Sequence, residues 1–209
     1  VGAIEHSDAE KGRFYVTRHI REIVTQSREG IEIPKFKAPD RTIKQMRKWL
    51  GDVTPITITL REAADWEHRN SSLDAWIKFA KDLEAQGETV IFVRDTAKAD
   101  EPLEGFRTCP EASRNLISRC ALYDLAKANL FVANGPCELA KFGSKPYLVF
   151  MQIEPEGSAY QANTASFWKR EALMDIMQNE QYPWASPQQR VIYKKDTYEN
   201  ICAAWEEIN

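Results

Sequence analysis

A chain of 209 residues with 43% hydrophobic and 11% aromatic side chains can bury one full globular core plus an extra arm, and is not a disordered polypeptide. Its 28 Lys and Arg against 31 Asp and Glu leave a formal charge of −3, which argues against a protein that coats nucleic acid or an anionic membrane. No apolar run approaches the roughly 18 residues that a bilayer span needs, and no charged segment followed by an apolar one opens the chain, so a soluble cytoplasmic protein is expected.

Residues 1 to 12 read as a tail or linker, and Phe14 to Val24 allows either a strand or a short helix. After Pro34 and Pro39, Asp40 is placed to cap a helix to Leu50, with Ile43, Met46, Trp49 and Leu50 on one face and Gly51 as its stop. Ile56 to Leu60 is a β-branched strand, and the polar run Arg61 to Ser72 behind it is a loop at the strand's carboxyl end. Ser71 or Ser72 caps a helix carrying Leu73, Trp76, Ile77, Ala80 and Leu83, which ends at Gly87; Val90 to Val93 is a second buried strand. Residues 96 to 111 read mostly as loop, with room for one short strand near Phe106. A helix from about Ser113 to Ala128, the strand Leu130 to Ala133, the break Asn134-Gly135-Pro136, a helix over Glu138 to Phe142 and a strand from Pro146 to Ile153 follow without interruption. Beyond a Pro-Gly loop come a helix from Ser166 to Gln178, the strand Arg190 to Tyr193 and a last helix over Thr197 to Ile208. Strands alternating with helices in this way predict an α/β fold, a doubly wound and mostly parallel Rossmann-like sheet with helices on both faces.

In such a sheet ligands bind at the carboxyl edge of the strands. Four segments are expected there: Arg61-Glu62, Arg94-Asp95, Asn134-Gly135-Pro136 and the chain after Ile153. Arg61 is the sharpest candidate, since a guanidinium directly after a buried strand can grip a diphosphate with two parallel hydrogen bonds; an ordinary ion pair explains it equally well. Arg69 and Asn70, with Ser71, add donors from the same loop, unless they only lead into the next helix. Asp95 stands where an acid meets ribose hydroxyls, and Glu138 can accept sugar hydroxyls or simply favour the positive end of its helix. Backbone N–H groups of the Asn134 turn are expected to point above the sheet. Trp66, Trp184 and Tyr123 are either stacking surfaces or packing.

Cys109, Cys120, Cys137 and Cys202 lack metal-binding or redox spacing and read as reduced thiols, and His6, His19 and His68 are scattered, so neither a protein-held metal nor another cofactor is expected. Nucleophile-elbow, P-loop and dinucleotide Gly motifs are all missing from the sequence, which weakens the hydrolase, P-loop and ordinary NAD-dehydrogenase readings.

From Asn129 to Val149 the pattern resembles the nucleotide-sugar-binding half of GT-B glycosyltransferases, in particular the heptosyltransferase-like branch. A strand ends in a small Gly turn, a helix follows, and Gly143-Ser144-Lys145-Pro146 leads into the next apolar strand. Here the turn is Asn134-Gly135-Pro136 where that branch has Asp-Ser/Thr-Gly. The strand ending in Arg61 resembles the first strand of the same carboxyl-terminal domain, and the likeness runs over about residues 54 to 155. It implies a donor-binding domain over residues 53–209, preceded at 1–52 by an arm with a linker helix, the remnant of an acceptor-side domain that this chain mostly lacks. It further implies metal-independent transfer from a nucleotide-sugar donor to a glycan acceptor of a bacterial surface, with Arg61 and the Asn134 turn stabilising the leaving diphosphate. A sugar-nucleotide epimerase and a non-catalytic nucleotide- or protein-binding module are the rival expectations.

Overall fold

Runs of β-branched and aromatic residues bounded by Gly, Pro and charged stretches become the strands, and the periodic apolar segments between them become the helices. The computed structural model describes residues 17–158 and 163–209. The expected tail at residues 1 to 12 and the start of the Phe14 to Val24 segment lie outside them; from Thr17 that segment is helix.

The described residues form a six-stranded sheet of β1 (Ile56–Thr59), β2 (Val90–Val93), β3 (Arg107–Thr108), β4 (Ala128–Val132), β5 (Tyr147–Phe150) and β6 (Gln189–Ile192). Its order is β3-β2-β1-β4-β5-β6 with every pair parallel, the doubly wound topology that the alternation predicts. Around it stand α1 (Thr17–Arg28), α2 (Asp40–Leu50), α3 (Leu73–Ala85), α4 (Pro110–Arg114), α5 (Leu116–Leu125), α6 (Cys137–Lys141), α7 (Ala165–Glu171) and α8 (Tyr198–Glu206).

Side chains of alternate parity serve opposite faces. Ile56, Ile58, Phe92, Leu130 and Phe150 pack against α3 and α8, with Trp76 of α3 edge-on to Phe150 at 5.6 Å. On the other face Ile91 and Val93 meet α2 and α5, while Phe131, Val149 and Val191 meet residues of α1, α6 and α7. Each such fully buried side chain contributes roughly 1.5–3 kcal/mol of transfer free energy. The two helices of residues 17–50 therefore pack on the same core as the sheet.

Four local readings are corrected. Asp40 is the first helical residue behind Pro39 and makes no side-chain capping bond. Trp49 is 41% exposed rather than on the buried face, and the Arg107 guanidinium lies 4.0 Å over its ring. The helix expected from Ser113 to Ala128 is two: Asn115 is extended (φ −122°, ψ 112°), and its Oδ1 accepts from Ile117 N and Ser118 N, because a short polar side chain offers the backbone an alternative to the helical bond. The helix expected to reach Gln178 stops at Glu171, since the chain turns through Leu173 (φ 56°) to bury Met174 and Ile176.

Behind β6, the buried Asp196 carboxylate accepts from Ser72 N (2.7 Å), Ser72 Oγ (3.1 Å) and Trp76 Nε1 (2.7 Å), tying the β6–α8 connection to the start of α3. Asp196→Ala orphans the buried Trp76 N–H and two half-buried donors of Ser72, and urea unfolding should register a loss of about 2–4 kcal/mol. A loss under about 0.5 kcal/mol would show that the tie is dispensable.

Candidate functional site

Because every strand is parallel, the loops after β1, β2, β4 and β5 open on one edge, and there lies a cleft of about 540 Å³. Of the residues expected at a site, the structure brings Arg61, Arg69, Asp95, Asn134, Gly135, Pro136 and Glu138 to its lining. Glu62 and Asn70 stand behind it as supports.

Asn70 Oδ1 accepts from the Arg61 guanidinium and from Ala63 N at 3.0 Å, and its Nδ2 donates to Ala63 O at 2.8 Å. Arg61 Nη1 also donates to Trp66 O (3.1 Å) and Nη2 to Asp65 O (2.9 Å). Only 8% exposed, Arg61 thus folds the polar loop around its own head group. Trp66 takes the left-handed conformation (φ 57°) in that loop, which carries Arg69 to within 3.4 Å of the Ala133 carbonyl at the end of β4. His68 Nε2 reaches Glu154 Oε1 at 3.2 Å and straps the β1 loop to the segment behind β5.

Glu62 grips Arg94 with both oxygens, Oε1 to Nη2 at 2.5 Å and Oε2 to Nε at 3.1 Å, while Glu62 N donates to Asp95 Oδ2 at 3.3 Å. This pairing fastens the carboxyl end of β1 to that of β2. Burial alone raises the Glu62 carboxyl, but the hydrogen bonds and charge of Arg94, the Asp95 amide and Lys98 outweigh it and hold its pKa below the usual range. The hydrogen bonds that Arg94 donates to Glu62 raise its own pKa in turn, against the opposing effect of burial.

At the Asn134 turn the amides that open the following helix are spent. Cys137 N bonds Asn134 Oδ1 at 3.2 Å, Glu138 N bonds Gly135 O at 3.2 Å, and Leu139 N bonds Pro136 O at 3.2 Å. The helix α6 has only five residues, about one turn and a half. Glu138 Oε1 lies 2.8 Å from the buried Lys141 Nζ, itself 5.4 Å over the Tyr182 ring. Burial works against the Lys141 charge, but Cys137, Glu138 and Tyr182 beside it keep its pKa well above the ordinary value. Burial pushes the Cys137 thiol up to about 11, which leaves it protonated and a poor nucleophile.

The three aromatic candidates separate. Tyr123 is buried under the sheet, its hydroxyl 2.7 Å from Thr59 Oγ1, and is packing. Trp184 stacks between Phe142 and Tyr182 and donates to Lys141 O. Trp66 stays 42% exposed at the loop's outer side.

The sequence reading missed Arg119, Lys141, Asn163 and the wall of Ile20, Met151, Trp168 and Tyr182. Arg119 carried a signal: it is a lone charge amid Leu116-Ile117 and Cys120-Ala121-Leu122 on a helix that the sheet must cover. The wall residues come from α1 and the region after β5, and only folding brings them in. Among the described residues no three metal-ligating side chains come together, and no helix is long and apolar enough to cross a membrane.

Glu62→Gln should destabilise the fold by about 2 kcal/mol at pH 7. The folded pKa of Glu62 lies below the unfolded value of about 4.3, so its stabilisation is complete above that pH and disappears as pH falls through the folded value. Urea melts at pH 7 and at pH 3 should show the gap between wild type and variant closing in acid; a gap independent of pH refutes the electrostatic account.

No protein-family model matches the sequence, and no curated protein matches it. Among solved structures the fold is similar to E. coli ADP-heptose LPS heptosyltransferase II, with 11% identity and a TM-score of 0.57 over 85% of this chain and 54% of that one. It is also similar to a glycosyl transferase family 9 protein from Veillonella parvula DSM 2008, with 11% identity and a TM-score of 0.53 over 83% and 53% of the two chains. The chain thus spans about half the length of these two proteins, and its fold is similar to that part of theirs.

Proposed function

We propose that the chain is the donor-binding half of a GT-B glycosyltransferase and that the cleft receives the diphosphate of a nucleotide sugar. The observation that carries this reading is the charge of the cleft. Arg61, Arg69, Arg94, Arg119 and Lys141 line it, against Asp95 and Glu138 alone among the described acids, in a chain that is acidic as a whole. Its volume of about 540 Å³ falls in the small-molecule range of roughly 300–1,000 Å³. Apolar and aromatic side chains at Ile20, Met151, Trp168 and Tyr182 offer the surface that a base or sugar ring needs.

In the proposed reaction an acceptor hydroxyl oxygen bonds to the anomeric carbon as the bond from that carbon to the diphosphate breaks. The electron pair leaves with the diphosphate, and the preorganised cations stabilise it as charge develops. With side chains in that role the transfer is metal-independent. The acceptor's proton passes to a base, for which a facing acceptor domain is the proposed source. In this scheme residues 53–209 are the donor-binding unit and residues 1–52 the arm from the acceptor side, which lends Ile20 to the cleft wall.

Thermal melts with UDP, GDP, ADP and CMP test the reading. The matching nucleotide, at about 100 times its dissociation constant, should stabilise the protein by about 2.7 kcal/mol. Arg61→Ala, which releases the loop, and Arg69→Ala should each weaken that binding at least tenfold. Absence of stabilisation by every nucleotide would favour a non-catalytic α/β module, and turnover of a sugar nucleotide without acceptor would favour the epimerase.

A further inference from the structure

Among the described residues five cations line the cleft, and the protein's own groups hold each of them. Arg94 is gripped by Glu62, Lys141 is paired with Glu138, Arg61 holds its loop, and the half-buried Arg69 reaches the Ala133 carbonyl. Arg119 differs from Arg61 and Arg94, whose two terminal nitrogens both meet protein acceptors. It is 4% exposed, it lines the cleft, and no carboxylate among the described residues pairs with it. Its Nε donates to Ala112 O at 2.5 Å and its Nη2 to Ser113 O at 3.1 Å, which leaves Nη1 without a protein acceptor. A buried guanidinium held only by neutral carbonyls is costly, and it lowers its cost most by meeting an anion.

The backbone around Arg119 is arranged for it. In an unbroken helix Ile117 N would bond Ser113 O, four residues earlier. Here Ile117 N goes to Asn115 Oδ1 at 2.9 Å, and Ser113 O accepts instead from Arg119 Nη2 and from Thr96 Oγ1 at 2.9 Å. The break between α4 and α5 therefore supplies the acceptor that orients the guanidinium, and it locks α4 to the turn after β2. Such a fork, fixed on one side and open on the other, suits a phosphate oxygen.

We infer that Arg119 is the principal anion-holding residue of the cleft and takes a diphosphate oxygen through Nη1, an assignment that rests on the donor reading for the nucleoside part of the ligand. Arg61 then acts on the ligand through the loop it shapes, as a positioning residue.

Calorimetric titration of the full chain with inorganic pyrophosphate, with the nucleoside diphosphate selected above and with its nucleoside tests this. Arg119→Met should weaken pyrophosphate and nucleoside diphosphate at least tenfold while changing nucleoside affinity less than twofold, and Arg119→Lys should restore part of the loss. Pyrophosphate affinity kept within twofold in folded Arg119→Met, or an equal loss for nucleoside and pyrophosphate, overturns the assignment. Should the Met variant fail to fold, Arg119→Lys decides: a drop of at least threefold for pyrophosphate supports the fork, and unchanged affinity overturns it. Wild type that binds pyrophosphate through Arg119 but gains nothing from any nucleoside removes the donor reading and leaves Arg119 standing; wild type that binds neither removes both.

Discussion

A parallel sheet covered by helices on both faces leaves polar chemistry one place to go, its edge. Here all six strands run the same way, and the face-directed side chains of the central strands are almost entirely apolar. Thr57, Thr59 and Asn129 are the exceptions inside the sheet, and they satisfy one another and Tyr123 through Thr57–Asn129 and Thr59–Tyr123 bonds of 2.7 Å. Every cation that lines the cleft stands at or beyond the carboxyl ends of β1, β2 and β4, or on the helices flanking them.

Keeping positive charge at that edge requires local compensation, and the carboxylates perform it. Glu62 and Glu138, both expected at the site, are engaged with Arg94 and Lys141. Their first effect is to hold cations in place at the cleft. Asp95 keeps a lining position while it accepts from the Glu62 amide, so the ends of β1 and β2 are joined by both side chain and backbone. The result is a rigid, positively charged floor in a protein of net charge −3, so an anionic ligand is met by local charge and not by the overall field.

Arg61 shows how far a good candidate can be carried by spacing alone. Its position after a buried strand places it at the right edge, and the structure puts it in the cleft lining. Which groups its five donors meet depends on how the chain from Ala63 to Asn70 folds back, and that path needs a left-handed Trp66 and the Asn70 amide. Neither feature has a local signature as firm as a Gly turn. Asn115 is a similar case: its capping power is local chemistry, but the periodicity of residues 113 to 128 reads straight through it as one helix.

The sequence by itself determined the strands, their parallel pairing and the loops that share an edge, because continuous apolar runs separated by amphipathic helices have few other ways to bury both faces. Seven of the nine candidate residues reached the cleft for that reason. Tertiary structure alone decided the partners. Lys141 with Glu138 and Tyr182, Arg119 with the freed Ser113 carbonyl, and the wall of Ile20, Met151 and Trp168 depend on side-chain directions and on contacts between segments far apart in the chain. Hydrophobic periodicity records which face of an element is buried; it holds no information on which charge will stand beside which once the faces meet.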